Sequence, residues 1–140
     1  MTFSVPTGWR VVDAPANMKL DYQIAVAALH KGSMPNIVIT DETFSGTTDQ
    51  YADFSVRHMS KSIPESKFID KSKFQTKGGI SGTKVVMRNT VQGQALRQVF
   101  YLFPTKTGLI LTFTVSSPVE QGLKYDKAMD AAMRDLILKK

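Results

Sequence analysis

Residues 83–117 read TKVVMRNTVQGQALRQVFYLFPTKTGLILTFTVSS, the longest concentration of strand-forming residues in the sequence. Val85 to Val91, Ala95 to Phe103 and Leu109 to Val115 are rich in β-branched and aromatic side chains, and gaps carrying Gly93 and Gly108 separate them. That composition predicts three consecutive antiparallel strands joined by tight turns. Side chains alternate across a strand, so Leu109, Leu111, Phe113 and Val115 share one face of the third strand, with Ile110, Thr112, Thr114 and Ser116 on the other. On the second, Leu96, Phe100 and Leu102 oppose Val99, Tyr101 and Phe103. With little charge on either side, the sheet is expected to be covered on both faces.

Working outward toward the N-terminus, Lys77-Gly78-Gly79-Ile80-Ser81-Gly82 is a turn that feeds these strands. Before it, Lys67 to Thr76 reads as an extended edge segment, with Phe68 and Phe74 on one side and Lys67, Lys71, Lys73 and Lys77 on the other. Lysine is a common guard of a sheet edge. From Asp49 to Ile63 the apolar period becomes helical, carried by Tyr51, Phe54, Ser55, His58, Met59 and Ile63. Thr47 and Gln50 fit a capping box at its start, and Pro64 ends it. Asp21 to Leu29 and Asn36 to Phe44 alternate as strands about the turn Lys31-Gly32-Ser33-Met34-Pro35, making a hairpin. At the front, Phe3 and Val5 predict a short strand, Pro6-Thr7-Gly8 a bend, and Trp9, the sole indole, a largely buried anchor. Arg10 to Pro15 is a short extended piece and Ala16 to Lys19 a loop. On the C-terminal side, Ser117-Pro118-Val119-Glu120 has the chemistry of a helix start, followed by an apolar stripe of Leu123, Ala128, Met129, Ala132, Leu136 and Ile137.

This order of strands, helix, strands and helix predicts an α+β domain with a mostly antiparallel sheet. The 140 residues suit one domain spanning 1–140, since no repeat, low-complexity tract or long linker divides them. A hydrophobic fraction of 42% with 21% charged residues argues against disorder, and no stretch reaches the roughly 20 apolar residues of a membrane-spanning helix. Cysteine is absent, which excludes thiol nucleophiles, disulfides and cysteine-ligated metals. The opening MTFSVPTGW has neither the basic start nor the apolar centre of a secretory leader, so the chain as written reads as cytoplasmic, and as extracytoplasmic where a leader has been removed. A net charge of +6 makes an anionic partner physically reasonable.

Candidate chemistry is sparse. General acid or base work needs a positioned group, and the two histidines, His30 and His58, lie far apart without diagnostic neighbours. Asp41 and Glu42 are adjacent on a strand and point to opposite faces, which separates them as a carboxylate pair. Gly78-Gly79-Ile80-Ser81-Gly82-Thr83-Lys84 has the wrong glycine spacing for a phosphate loop, and a strand follows where a helix is required. The residues therefore predict no catalytic set, no cofactor and no structural metal. The basic run including Arg57, Lys61, Lys84 and Arg88 has two readings, an anionic docking surface or a lysine-protected edge, and lacks interleaved aromatics for base stacking.

The pattern Phe3-x-Val5-Pro6-x-Gly8-Trp9, the helix over Asp49 to Ile63, the central meander and LILTFTVSSP before a last helix together resemble the Mog1/PsbP-like superfamily, over nearly the whole chain. That resemblance implies an α/β/α sandwich in which helices flank the sheet. The superfamily includes a Ran-binding nuclear import factor, an extrinsic photosystem II subunit, bacterial envelope lipoproteins and chaperones for secreted effectors, so it implies binding or assembly with no single shared partner. The expectation is a non-catalytic module that binds a protein partner in a bacterial envelope or assembly apparatus. Lys67, Lys71, Lys73 and Lys77 are the candidate docking residues. One alternative is a binder of nucleic acid or lipid head groups through the same lysines; another is a small hydrolase or ligand-binding protein with a pocket between sheet and helices.

Overall fold

The computed structural model describes residues 3–12, 24–26, 35–121 and 123–138. Among these residues seven strands, β1 (Arg10–Val12), β2 (Ile24–Val26), β3 (Asn36–Thr43), β4 (Lys67–Gln75), β5 (Ser81–Val91), β6 (Gln94–Pro104) and β7 (Leu109–Pro118), form one sheet in the order β1-β2-β3-β7-β6-β5-β4. Every pairing is antiparallel. Helix α1 (Thr48–Ser62) lies on one face and α2 (Asp126–Arg134) contributes to the core on the other. The chain is thus an α+β protein built as an α/β/α sandwich.

The alternation in the meander decides which residues meet which helix. Tyr101 and Phe103 of β6 point toward α2, where they join Phe113, Val115, Ile37, Met129 and Met133 in the larger core. Phe103, Phe113 and Met133 are all 0% exposed there. Leu102 of the same strand points the other way and packs with Val85, Met87, Ile110 and Ala52 of α1. Gln92 and Gly93, both with positive φ, form the two-residue turn between β5 and β6, the backbone that matches the twist of a tight hairpin. Gly82 is required for a different reason: a Cβ there would lie 2.2 Å from the Leu102 carbonyl oxygen, so only glycine lets β6 approach.

Helix α1 starts with the expected capping box. The Thr47 hydroxyl accepts from the Gln50 amide at 3.1 Å, and the Thr47 amide donates to Gln50 Oε1 at 2.9 Å. Ile63 is the C-cap, one residue before Pro64.

Several sequence expectations are corrected. Phe3 to Val5 is not a strand; Phe3 instead packs its ring 5.0 Å from that of Phe113. Trp9, short of full burial, packs against the larger core and sits edge-on to Tyr125 at 5.4 Å. The C-terminal helix starts later than Pro118 suggests, because β7 continues through Pro118 to pair with Leu96, and a 3₁₀ turn, Val119–Gln121, intervenes. Consequently Leu123 and Ile137 are exposed, while Met133 and Leu136 are buried. The hairpin of β2 and β3 is present, with Ala25 opposite Ile37, but its turn and the segment Ala16 to Lys19 lie outside the described residues.

Candidate functional site

The four candidate lysines do not form one row. A β-bulge between Phe68 and Asp70 gives β4 an extra residue relative to β5, and this reverses the facing of everything on one side of it. Phe68 therefore stands opposite Met87 on the α1 face and is 47% exposed, whereas Phe74 stands opposite Gly82 on the α2 face and is buried. Lys71 and Lys73, opposite Val85 and Thr83, face the α1 side, and Lys67, opposite Arg88, faces the α2 side. Lys77 lies beyond the strand in the turn, with its Nζ 2.8 Å from Asp135. Lys71 bridges Asp49 and Asp53 of α1, at 2.9 Å from each. The hydrogen bonds that Lys71 donates to these two carboxylates, Asp49 foremost, push its ammonium pKa up. Part of the basic run thus anchors helices to the sheet edge.

A more developed site lies across the same face of the sheet. Lys71 draws α1 toward β4, Thr48 hydrogen-bonds Thr83 of β5 at 2.9 Å, and Met59 meets Asn89 farther along β5. The helix therefore runs along the β5 side, and the α1 face of β3 and β7 is left as the floor of a groove. Thr40, Thr112 and Thr114 furnish hydroxyls on that floor, with Phe100 and Leu102 of β6 beside them. Tyr51, Ala52, Phe54, Ser55, His58 and Met59 of α1 form the wall. The groove encloses about 420 Å³, the size of a small-molecule site.

Its two ends differ chemically. At the end near the start of α1, the Tyr51 hydroxyl donates to the Glu42 carboxylate. Burial, followed by the hydrogen bond and negative charge of Glu42, pushes the Tyr51 pKa up to about 12, while the hydroxyls of Ser55 and Thr112 act in the opposite sense. Tyr51 is consequently a neutral donor at physiological pH, not a phenolate nucleophile. Phe44 and Phe54 continue an aromatic rim, with centroids 5.0 Å between Phe44 and Tyr51 and 6.1 Å between Phe44 and Phe54. His58 stacks on Phe54 at 6.4 Å. Toward the other end Met59 and Phe100 make the lining apolar. Asp41 pairs with Leu111 and Glu42 with Ile110, so only Glu42 of the adjacent acids faces the groove.

The sequence places Tyr51, Phe54, Ser55, His58, Met59 and Ile63 on one helical stripe and allows a pocket between sheet and helices without assigning residues to it. What sequence reasoning missed is that the stripe is wider than the part of the sheet the helix covers. The threonines at 40, 112 and 114 were the available signal, since a fully covered strand face is ordinarily filled with larger apolar groups. On the α2 face the polar groups are committed differently: Lys84 bridges Asp130 at 2.9 Å, Tyr101 donates to the same carboxylate at 2.5 Å, and Arg97 bridges Asp126. These fasten α2 to the sheet. Among the described residues no group of three or more acids and histidines is placed to hold a metal, and no helix is long and apolar enough to cross a membrane.

No protein-family model matches the chain, and no curated protein matches it. Solved structures do. Cyanobacterial PsbP (CyanoP) from Synechocystis is 15% identical with a TM-score of 0.65, covering 98% of this chain and 85% of its own. LpqN of Mycobacterium tuberculosis, described as involved in cell envelope biogenesis, is 17% identical with a TM-score of 0.67, covering 94% of this chain and 78% of its own. A protein of unknown function from Pseudomonas aeruginosa is 16% identical with a TM-score of 0.66, at coverages of 94% and 98%. Identities this low establish likeness of architecture rather than of partner, and by architecture the chain has the Mog1/PsbP-like fold.

Proposed function

We propose that this chain is a non-catalytic binding module whose ligand occupies the groove between α1 and the β3-β7-β6 face. The carrying observation is the groove itself: about 420 Å³ between a helix and a sheet, mainly apolar in its lining, with hydroxyls of Thr40, Ser55, Thr112 and Thr114 along it and the Tyr51–Glu42 pair at one end. Its most perturbed titratable group, Tyr51, is shifted away from reactivity and toward hydrogen-bond donation. The structural likeness to PsbP and to LpqN fits a binding or assembly role. A lysine-mediated protein or anion contact along β4 has less support, because Lys71 and Lys77 already hold acids of this chain.

The test is a fragment screen read by backbone amide shifts. Hits should cluster on Thr40, Ser55, Thr112 and Thr114, and Thr114→Trp, at a partly buried floor position open to the groove, should abolish them without loss of the folded spectrum. Hits that persist in that variant, or that map to β4 instead, would refute the assignment.

A further inference from the structure

We infer that the groove takes an amphipathic organic cation, with an ammonium or amidinium group beside Glu42 and an apolar body extended along α1 toward Met59 and Phe100. This rests on the groove being the binding site, and adds the class of its ligand. Among the described residues that line the groove, Glu42 is the one carboxylate and His58 the one imidazole, and none is a lysine or arginine. In a chain of net charge +6 this is a local inversion of sign. A negative point in a basic protein discriminates against the anions that the rest of the surface attracts.

The carboxylate is also held in place. Tyr51 donates to Glu42 Oε2, and Tyr51 is itself fixed by its packing against Phe44 at 5.0 Å. A positioned acceptor loses less freedom when a ligand arrives. Tyr51 contacts the carboxylate directly, and Phe54 lines the same groove from the neighbouring turn of α1. Carboxylate and aromatic rings together are the chemistry by which proteins recognise alkylated or primary ammonium groups. Past this end no second carboxylate lines the groove among the described residues, and Met59, Val85, Phe100 and Leu102 give it an apolar surface beside the neutral hydroxyls of Thr112 and Thr114, so the remainder of the ligand is uncharged and mainly apolar.

Three probes of one chain length separate the possibilities: octylammonium, octanol and octanoate, titrated into the intact chain and followed by amide shifts at Thr40, Phe54 and Thr112. Octylammonium should bind in the groove at least about tenfold more tightly than octanol, a difference on the scale of one desolvated cation contact. Octanoate should bind more weakly than either. Glu42→Gln keeps an acceptor for Tyr51 at an exposed position, so the fold should persist while most of the preference for the ammonium disappears. Equal groove binding by octylammonium and octanol, or a preference unchanged by Glu42→Gln, would overturn the cation assignment and leave the groove as a neutral apolar site. Absence of shifts at all three residues with every probe would overturn the groove itself.

Discussion

Two tyrosines show how the same phenol is put to different use by its surroundings. Tyr101 is 1% exposed and donates to Asp130, so burial first and that carboxylate second push its pKa far up. Tyr51, at the groove, is raised for the same kinds of reason to about 12. A phenol whose folded pKa lies above its unfolded value, about 10, stabilises the fold fully below that value, and the contribution is lost as pH rises toward the folded pKa. For Tyr51 the window is roughly pH 10 to 12. In an ultraviolet titration of phenolate absorbance, the difference between the parent and Tyr51→Phe should therefore titrate near the upper end of that window. The corresponding difference for Tyr101→Phe should appear only with alkaline unfolding. A Tyr51 signal centred near 10 would mean that in solution the phenol is neither buried nor held against Glu42.

At the scale of elements, the edge strand β4 tests how charge reversal reads out when lysines of one strand have different partners. Lys71 is clamped by Asp49 and Asp53, whereas Lys73, two positions along on the same face, has no such bridge to α1 among the described residues. Lys71→Glu places three carboxylates together and should lower the melting midpoint, with the loss reduced in high salt as screening weakens the repulsion. Lys73→Glu should leave the midpoint nearly unchanged. Equal effects would show that the bridge between α1 and β4 contributes nothing to stability.

The same strand shows the limits of sequence reading. The meander from Val85 to Val115 was legible because its alternation is regular and its turns carry glycine, and the capping box at Thr47 was legible because it is chemical rather than tertiary. The bulge at Phe68 to Asp70 has no local signature, so counting parity across it put Phe68 and Phe74 on one side when they face opposite ways. Ser117-Pro118 misled in the converse direction: it has the chemistry of a helix start, yet its pairing with β6 holds it in the sheet. For the groove, the helical stripe was visible, but where α1 sits across the strands is set by Lys71 and Thr83 through contacts distant in sequence.

At the scale of the whole molecule, the described residues form two cores separated by the sheet, and β6 contributes to both: Leu102 to the α1 side, Tyr101 and Phe103 to the α2 side. Because consecutive residues of one strand fill opposite layers, neither layer can loosen without disturbing the backbone that shapes the other. One cooperative unit over residues 1–140 is the expectation, and Trp9 gives a reporter for it, since it packs against Tyr125 on the α2 side only. Leu102→Ala removes a buried side chain from the α1 layer and should cost about 2 to 5 kcal/mol, and Phe103→Ala, from the α2 layer, about 3 to 5 kcal/mol. In both variants the fluorescence of Trp9 and the far-ultraviolet signal of the sheet should shift to a lower denaturant midpoint together, with unchanged slope. The decisive variant is Leu102→Ala, whose lesion lies across the sheet from the indole. If its far-ultraviolet transition moved while the Trp9 transition stayed in place, the α1 layer would be unfolding by itself, and a ligand in the groove would then stabilise only that layer. Coincident transitions instead make groove occupancy a term in the stability of the entire chain, so that a groove ligand should raise the Trp9 midpoint by mass action although it never touches the indole.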